Sequence, residues 1–185
     1  GIPVHKKFSE QIQKKQARNH LVIPSDKKMY LIMTGGMGCG NILELCNGLL
    51  KNPDKNIIIY VLCGRNDSLK QKIDQLHQTD ARVQAVVFTK EVSIYMKAAD
   101  VLLSKSGGIS STEAAVTNIP LIHIMPIPGC ETKNAAFFSE KGMSLYAKTT
   151  EQVNAANFNF IDFPPFRILP FHTHCNKGSA VPYFL

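Results

Sequence analysis

Two short polar segments of this sequence, each at the end of an apolar run, have residue types suited to binding a phosphorylated ligand. Ser106-Gly107-Gly108 follows the apolar run at 101–103 and precedes a helical pattern, so backbone N–H groups at the helix start lack intrahelical acceptors. These N–H groups and the positive end of the helix dipole favour an anion such as a phosphate or diphosphate. Ser106 adds a hydroxyl donor, and Lys105 either supplies a counter-charge or simply faces solvent.

The second segment contains Glu131 and Asn134, which follow the apolar run at 121–124 and a break rich in Pro and Gly. Because they are three residues apart at the start of a helix, they share a helix face. Their side chains suit the hydroxyls of a sugar, and the alternative is a capping arrangement at the helix start. Glu113 has two readings as well, as a partner of the helix dipole or as an acceptor for ribose hydroxyls, and Thr112 precedes it.

A glycine-rich loop, TGGMGCG at 34–40, follows an earlier apolar run. It is not a Walker A loop, because no Lys-Ser/Thr pair follows the glycines, and it lacks the GxGxxG spacing. A nicotinamide-binding fold also needs an acidic residue after the second strand, where this sequence has Cys63-Gly64-Arg65. The loop is interpreted as one that approaches a phosphate or a sugar, and a tight strand-to-helix turn is the alternative.

These segments are positioned by short apolar runs that alternate with helical patterns. The alternation predicts right-handed crossovers and a mainly parallel sheet with both faces covered, which is an α/β doubly wound fold. Parallel strands end at one edge of the sheet, so the polar segments should form a single site. The predicted strands are 29–33, 57–62, 83–88, 101–103, 121–124 and 144–147, and the predicted helices are 9–18, 42–50, 67 or 68 to 77, 91–99, 110–117 and 132–141.

The pattern divides the chain into three parts. Residues 1–20 are predicted to be a linker with a short helix that leads into the domain, and residues 21–150 to be the binding domain. Residues 151–185 are rich in Phe and Pro and have no helical period, so an irregular tail of unknown structure is predicted. His123 lies inside an apolar strand, where a buried, hydrogen-bonded histidine is expected rather than a catalytic base.

Composition limits the class of protein. A chain of 185 residues with 44% hydrophobic and 19% charged residues suits a packed domain rather than disorder. No apolar run approaches the roughly 20 residues of a membrane span. Five cysteines without CxxC spacing, and no secretion signal, fit a reducing cytoplasm and indicate no metal site. His172, His174 and Cys175 form a cluster that fits a loop better than a metal site.

The net charge of +7 is concentrated near the start of the chain, where residues 1–30 hold seven Lys or Arg residues and two acidic residues. Such a surface suits an anionic membrane or a nucleic acid, and a solvated helix face is the plainer interpretation. Aromatic side chains scarcely interleave with these lysines, so no nucleic-acid partner is expected.

The motifs TGGMGCG, VLCGRN, VLLSKSGG and GGISSTEAAVTNIPLIHIMPIPGCETKNAAFF together resemble glycosyltransferase family 28, over about residues 1–148. The likeness is greatest to its branch of monogalactosyldiacylglycerol synthases and processive diacylglycerol glucosyltransferases. Members of the family have the GT-B architecture of two Rossmann-like domains, and this chain resembles the half that binds the UDP-sugar donor. The resemblance implies an inverting hexosyltransferase that glycosylates a diacylglycerol-type membrane lipid.

The resemblance also assigns roles to particular residues, and it implies that the diphosphate is bound without a metal. The UDP-sugar is then a substrate, and no cofactor is expected. The matched positions are Gly35, Gly36, Met37 and Gly38 facing the donor phosphates, Phe88, Thr89 and the nearby Arg65 at the uracil, Ser106, Gly107 and Gly108 at the diphosphate, Glu113 with its neighbour Thr112 at the ribose, and Glu131 and Asn134 at the donor sugar.

By the same resemblance, the N-terminal half of such an enzyme binds the lipid acceptor and carries the catalytic base. The chain is therefore expected to bind the donor and to be inactive alone. Its expected location is the cytoplasm, at the periphery of the membrane. The alternatives are a non-catalytic nucleotide-sugar-binding subunit, a fragment of a UDP-sugar epimerase and, disfavoured by the residues after the second strand, an NAD-linked oxidoreductase.

Overall fold

The computed structural model describes residues 2–33, 42–52, 54–124 and 130–158, in which strands and helices alternate. The strands are β1 Lys28–Met33, β2 Ile57–Gly64, β3 Val83–Val87, β4 Val101–Ser104, β5 Leu121–Ile124 and β6 Leu145–Ala147. A short 3₁₀ helix at Lys6–Phe8 precedes the α-helices, which are α1 Lys14–His20, α2 Ile42–Leu50, α3 Asp67–Thr79, α4 Val92–Ala98, α5 Gly108–Thr117, α6 Cys130–Glu140 and α7 Thr150–Phe158.

The six strands form one parallel sheet in the order β3-β2-β1-β4-β5-β6. The chain starts in the middle at β1, winds to the β3 edge, returns to β4 and then winds to the β6 edge. The reversal places a topological switch point between β1 and β4, where open α/β sheets bind ligands beyond the carboxyl ends of the strands. The predicted α/β, Rossmann-like doubly wound fold is confirmed.

Both faces of the four central strands are buried, which explains why these strands are almost continuously apolar in sequence. In β1, Tyr30 and Ile32 pack on the side of α2, α3 and α7, whereas Met29 and Leu31 pack on the side of α1, α4 and α5. Among the described residues, no helix combines the length and the apolar character that crossing a bilayer requires.

Several helix starts differ from those predicted, and side-chain hydrogen bonds mark two of them. Helix α1 begins at Lys14 rather than at Ser9. At its start, Gln16 Oε1 accepts a hydrogen bond from the Gln13 N–H. Helix α3 is capped by Asn66, whose side chain accepts from the Leu69 N–H at 2.9 Å, and not by Asp67 or Ser68. Helix α5 begins two residues earlier than predicted.

The prediction of irregular structure after Thr150 is wrong for the first part of the tail, because α7 spans Thr150–Phe158. This helix packs on α2 so closely that a Cβ at Gly48 would lie 2.2 Å from Thr150 Cγ2. The Asn154 amide donates to the Gly48 carbonyl at 3.1 Å. A capping box marks the start of α7, since the Thr149 and Gln152 side chains each accept from the other's backbone N–H. Residues 159–185, including His172, His174 and Cys175, lie outside the described residues.

A buried ion pair joins α1 to the rest of the domain, a role that the sequence did not indicate for Arg18. Its side chain is 6% exposed, and its Nη2 donates to Asp100 Oδ2 at 2.6 Å. Asp100 also accepts from the Met29 N–H and from Lys14 Nζ. The Nε and Nη1 groups of the same guanidinium donate to carbonyl oxygens of Pro24, Ser25, Lys27 and Ala98. Arg18 therefore does not belong to a solvated basic face.

Candidate functional site

The N-terminus of α5 lies at the carboxyl end of β4. Gly107 is the N-cap residue, and the first helical hydrogen bond runs from the Ser111 N–H to the Gly107 carbonyl at 3.0 Å. The N–H groups of residues 108–110 therefore have no intrahelical acceptor. Within the described residues, no heavy atom lies within 4 Å of the position that a Cβ on Gly107 would take. The predicted helix tip at Gly107 and Gly108 is confirmed.

Helix α6 lies directly beside this tip and is bonded to it. The Asn134 amide donates to the Ser106 carbonyl at 2.9 Å, and the Ser106 hydroxyl donates to the Glu131 carbonyl at 2.5 Å. Lys105 Nζ lies 3.4 Å from Glu131 Oε1. Because β4 and β5 are neighbours in the sheet, the two polar segments predicted to meet do meet. The Ser106 hydroxyl, however, is buried against Glu131, so its predicted role as a donor to the anion is not supported.

The two neighbouring side chains on α5 differ in what they can do. Thr112 is 2% exposed, and its hydroxyl donates to the Gly108 carbonyl at 2.7 Å, so it packs within the domain and is not presented to a ligand. Glu113 is half-buried. Burial raises the pKa of the Glu113 carboxyl, and the charge of Lys7 opposes that effect. Of this pair, Glu113 is the residue available as an acceptor.

An open, largely apolar pocket of about 390 Å³ lies at the carboxyl ends of β1, β2 and β3. The Arg65 guanidinium lies over the Phe88 ring at 5.0 Å from its centroid, and Phe88 is 56% exposed. The Thr89 hydroxyl accepts from the Glu91 N–H, which fixes the turn into α4. The structure thus brings together Arg65, Phe88 and Thr89, as predicted. The remaining lining residues are Met33, Leu62, Gly64, Val87 and Val92.

The pocket, the helix tip and the start of α6 all lie along the same edge of the sheet, which is the arrangement expected at its switch point. The first glycine loop, at 34–40, follows β1 in the sequence. Its predicted ligand residues, Gly35, Gly36, Met37 and Gly38, lie outside the described residues, and their role stays a prediction.

His123 lies behind the helix tip and is fully buried, as predicted. Its Nε2 is hydrogen-bonded to Ser111 Oγ at 2.9 Å, and its Nδ1 to Ser144 Oγ at 3.0 Å. The imidazole meets the Phe138 ring edge-on, with the ring centroids 5.8 Å apart. Burial lowers the pKa of His123 to about 4, so the ring is neutral near pH 7 and supports the first turn of α5.

The low pKa of His123 predicts a loss of stability in mild acid. The unfolded chain binds a proton at this residue below about pH 6.5, whereas the folded protein does so only below about pH 4. Stability contributed by neutral His123 is therefore lost as the pH falls through this window, by about 3 kcal/mol in total. We expect His123→Gln, which keeps a donor and an acceptor, to reduce the dependence of the unfolding free energy on pH between about pH 6.5 and pH 4. Urea unfolding at pH 7, 6, 5 and 4 measures the effect, and equal slopes for both proteins would contradict it.

Comparison with known sequences identifies relatives over most of the chain. The Glycosyltransferase family 28 C-terminal domain matches residues 31–155. A processive diacylglycerol beta-glucosyltransferase of Bacillus pumilus is 34% identical over 155 residues, which are 83% of this chain and 40% of the relative. The enzyme of the same name from Bacillus subtilis is 30% identical over the same shares. The chain thus spans about 40% of the length of the curated relatives it matches.

Solved structures with the same fold are more distant in sequence. WaaG, a glycosyltransferase involved in lipopolysaccharide biosynthesis, matches with a TM-score of 0.64 at 20% identity, over 82% of this chain and 43% of WaaG. MurG of Acinetobacter baumannii matches with a TM-score of 0.57 at 19% identity, over 83% of this chain and 46% of MurG. These likenesses concern the fold, which is one half of a GT-B glycosyltransferase. From the family match and the Bacillus relatives, the chain belongs to glycosyltransferase family 28.

Proposed function

We propose that this chain is the UDP-sugar-binding C-terminal half of an inverting hexosyltransferase that glycosylates a diacylglycerol-type membrane lipid. The observation that carries the proposal is the α5 N-terminus at Gly107, whose first N–H groups have no intrahelical acceptor and which has an apolar pocket on one side and Glu131 with Asn134 on the other. The Bacillus relatives, named as diacylglycerol glucosyltransferases, support the choice of a lipid acceptor.

The order of the strands fits the order of the groups in a UDP-sugar. Neighbouring strands lie about 4.8 Å apart, so the end of β2 is about 10 Å from the end of β4, and β5 is about 5 Å further on. A uracil in the pocket beside Phe88 would leave the diphosphate within reach of the α5 N-terminus. The ribose would then face Glu113, and the sugar would face Glu131 and Asn134.

The α5 N-terminus would contribute to transfer by stabilising the leaving group. In a direct displacement, the acceptor oxygen forms a bond to the anomeric carbon while the bond from that carbon to the diphosphate oxygen breaks. The electron pair goes to the diphosphate, where backbone N–H groups and the helix dipole stabilise the developing charge. The acceptor's proton would pass to a base on the N-terminal half. For this reason we propose that the chain alone binds donor but does not transfer sugar, and that no cofactor takes part.

Titration calorimetry with UDP, UMP and ADP tests the assignment directly. We expect UDP to bind more tightly than UMP, because the second phosphate meets the free N–H groups, and more tightly than ADP, because the pocket selects the base. Equal affinity for UDP and ADP would contradict the base pocket. Equal affinity for UDP and UMP would contradict the diphosphate site.

Replacing Phe88 by Ala removes the exposed ring of the pocket and should weaken UDP binding about tenfold, since stacking of a base on an aromatic side chain contributes about 1–3 kcal/mol. The matched control is Tyr146→Ala. Tyr146 is also a partly exposed aromatic residue, 39% exposed, but it lies on β6 at the opposite edge of the sheet. Calorimetry of both variants should show a loss for Phe88→Ala alone, and an equal loss in both would contradict the prediction.

The location follows from the proposed acceptor. An enzyme that acts on a membrane lipid must meet a bilayer, so we propose that the whole protein works at the cytoplasmic face of a membrane as a peripheral protein. The positive net charge of +7 supports contact with anionic lipid.

A further inference from the structure

An exposed valine in a costly backbone conformation follows helix α1. Val22 has φ 56°, in the left-handed region, and its side chain is 87% exposed. It occupies the position after a helix C-terminus that glycine usually takes, with the Ile23 N–H bonded to the Arg18 carbonyl at 2.9 Å. A β-branched side chain is strained in this conformation. A strained backbone and an exposed apolar side chain both destabilise the folded domain, so folding alone does not explain a valine at this position.

A groove of about 490 Å³ lies beside Val22, on the face of the sheet next to the edge strand β3. Apolar and polar groups share its wall, which is formed by the α1–β1 loop, by β2 and β3 and by α4. Val87, on β3, is 51% exposed. The groove is lined by Leu21, Pro24, Tyr60, Val86, Val87 and Tyr95, among others. We call this groove together with Val22 the Val22 surface.

Positive charge predominates along the segments that form the Val22 surface. Lys15 is exposed on α1, Lys27 follows Pro24 by three residues, and Lys90 is exposed three residues after Val87. Among the nearby acidic residues, Asp100 is bound by Lys14 and Arg18, whereas Asp26 and Glu91 are exposed and offset part of the positive charge. The apolar patch is therefore accompanied by an excess of cations.

We propose that the Val22 surface docks on an anionic lipid bilayer, with the Val22 side chain inserted among the headgroups and Lys15, Lys27 and Lys90 near lipid phosphates. An apolar residue held away from the protein, with lysines on the flanking segments, is the combination that interfacial binding uses. The inference rests on the proposed function only for the need to reach a bilayer. It names the surface that does so. Because this surface shares Val87 with the pocket beside Phe88, the variants that test it are placed at other residues.

The expected binding is weak and reversible. Inserting a valine strengthens association about tenfold, and each lysine near an anionic surface strengthens it about fivefold. Binding should therefore require anionic lipid and fall steeply as salt is added.

Val22→Gly tests the proposal because it separates docking from folding. Glycine adopts the left-handed conformation without strain, so the melting temperature should stay the same or rise. Binding to vesicles of 30% phosphatidylglycerol in phosphatidylcholine, measured by co-sedimentation with the whole chain, should fall about tenfold. Val22→Leu should retain the binding, and Lys15→Gln with Lys90→Gln should reduce it. Tyr146→Ser, on the far edge strand, should leave it unchanged.

The outcomes decide between occupants of the surface. Equal vesicle binding by Val22→Gly and the unchanged chain overturns the proposal, as does equal binding to pure phosphatidylcholine, or no vesicle binding at all. A dimer in sedimentation velocity that Val22→Gly dissociates also overturns it, because a second copy would then be the occupant. A chain that binds vesicles as expected but not UDP supports the docking surface and contradicts the proposed nucleotide site.

Discussion

Replacing Gly107 by Asp should nearly abolish UDP binding without unfolding the domain. An aspartate at this N-cap position would accept hydrogen bonds from the N–H groups of residues 109 and 110, which are those that we assign to the diphosphate. It would also fix a negative charge where the ligand carries its own. Losing two hydrogen bonds to a charged group costs about 3 kcal/mol or more, so the affinity should fall at least about a hundredfold.

The fold should tolerate Gly107→Asp. Gly107 has φ −67° and ψ 135°, which any L-residue adopts, and no heavy atom of the described residues lies within 4 Å of its Cβ position. Because aspartate is at least as good an N-cap as glycine, the melting temperature should be unchanged or slightly raised. Gly107→Asn is the matched variant without the charge, and we expect it to lose affinity about tenfold. Titration calorimetry and thermal melts suffice, and a Gly107→Asp protein that binds UDP normally would show that the α5 N-terminus is not the anion site.

The largest loss of stability is expected from Arg18→Ala, at about 3–5 kcal/mol, because it removes a charged partner of the partly buried Asp100 carboxylate and leaves several carbonyl oxygens without their donor. The guanidinium bonds Asp100 and four carbonyl oxygens, which would lose their donors at once. Lys14→Ala is the matched control. It removes the other partner of Asp100, but the Lys14 side chain is 50% exposed, so we expect a cost below about 1 kcal/mol. Urea unfolding of both variants tests the contrast, and equal losses would contradict it.

The same ion pair predicts how the difference in unfolding free energy between the unchanged chain and Arg18→Ala should vary with pH. Burial would raise the pKa of Asp100, but the hydrogen bonds from Lys14 and the Met29 N–H, with the charges of Lys14 and Arg18, hold it below its ordinary value. Stability from ionised Asp100 is then fully present above about pH 4 and is lost as the pH falls through the lower folded-state pKa. The gap in unfolding free energy between the unchanged chain and Arg18→Ala should therefore narrow in strong acid.

The strands could be predicted from sequence because burial on both faces leaves a continuous apolar run. The predicted strand at 121–124 is reproduced without change, and β1 extends the predicted run by one residue. Helix α7 was missed for a different reason. Its apolar pattern is weak, and its place depends on Gly48, which is about 100 residues earlier in the chain. The Thr149–Gln152 capping box was the local signal that could have indicated it.

For the site, backbone positions were easier to predict than side-chain roles. A glycine pair between a strand and a helix fixes where the free N–H groups lie, whatever surrounds them. Ser106 was predicted to donate to the anion and Thr112 to lie at the ribose, but each hydroxyl donates to an acceptor within the protein, on Glu131 and Gly108 respectively. Arg18 looked like one of several surface cations, since the Ala98 carbonyl that helps to bury it is 80 residues away. Such long-range partners cannot be read from a local pattern.

The paired hydrogen bonds between Ser106 and helix α6 have a consequence for engineering this domain. The Ser106 carbonyl accepts from the Asn134 amide, and the Ser106 hydroxyl donates to the Glu131 carbonyl. Two hydrogen bonds therefore join the loop after β4 to the first turns of α6. A chimaera that imported α6 alone would keep the hydrogen bond from Asn134 only if its helix also had an amide at position 134, whereas the bond to the carbonyl of residue 131 needs the helix in the same position. Residues 104–134 should instead be exchanged as one cassette, with the junctions placed inside β4 and in the middle of α6.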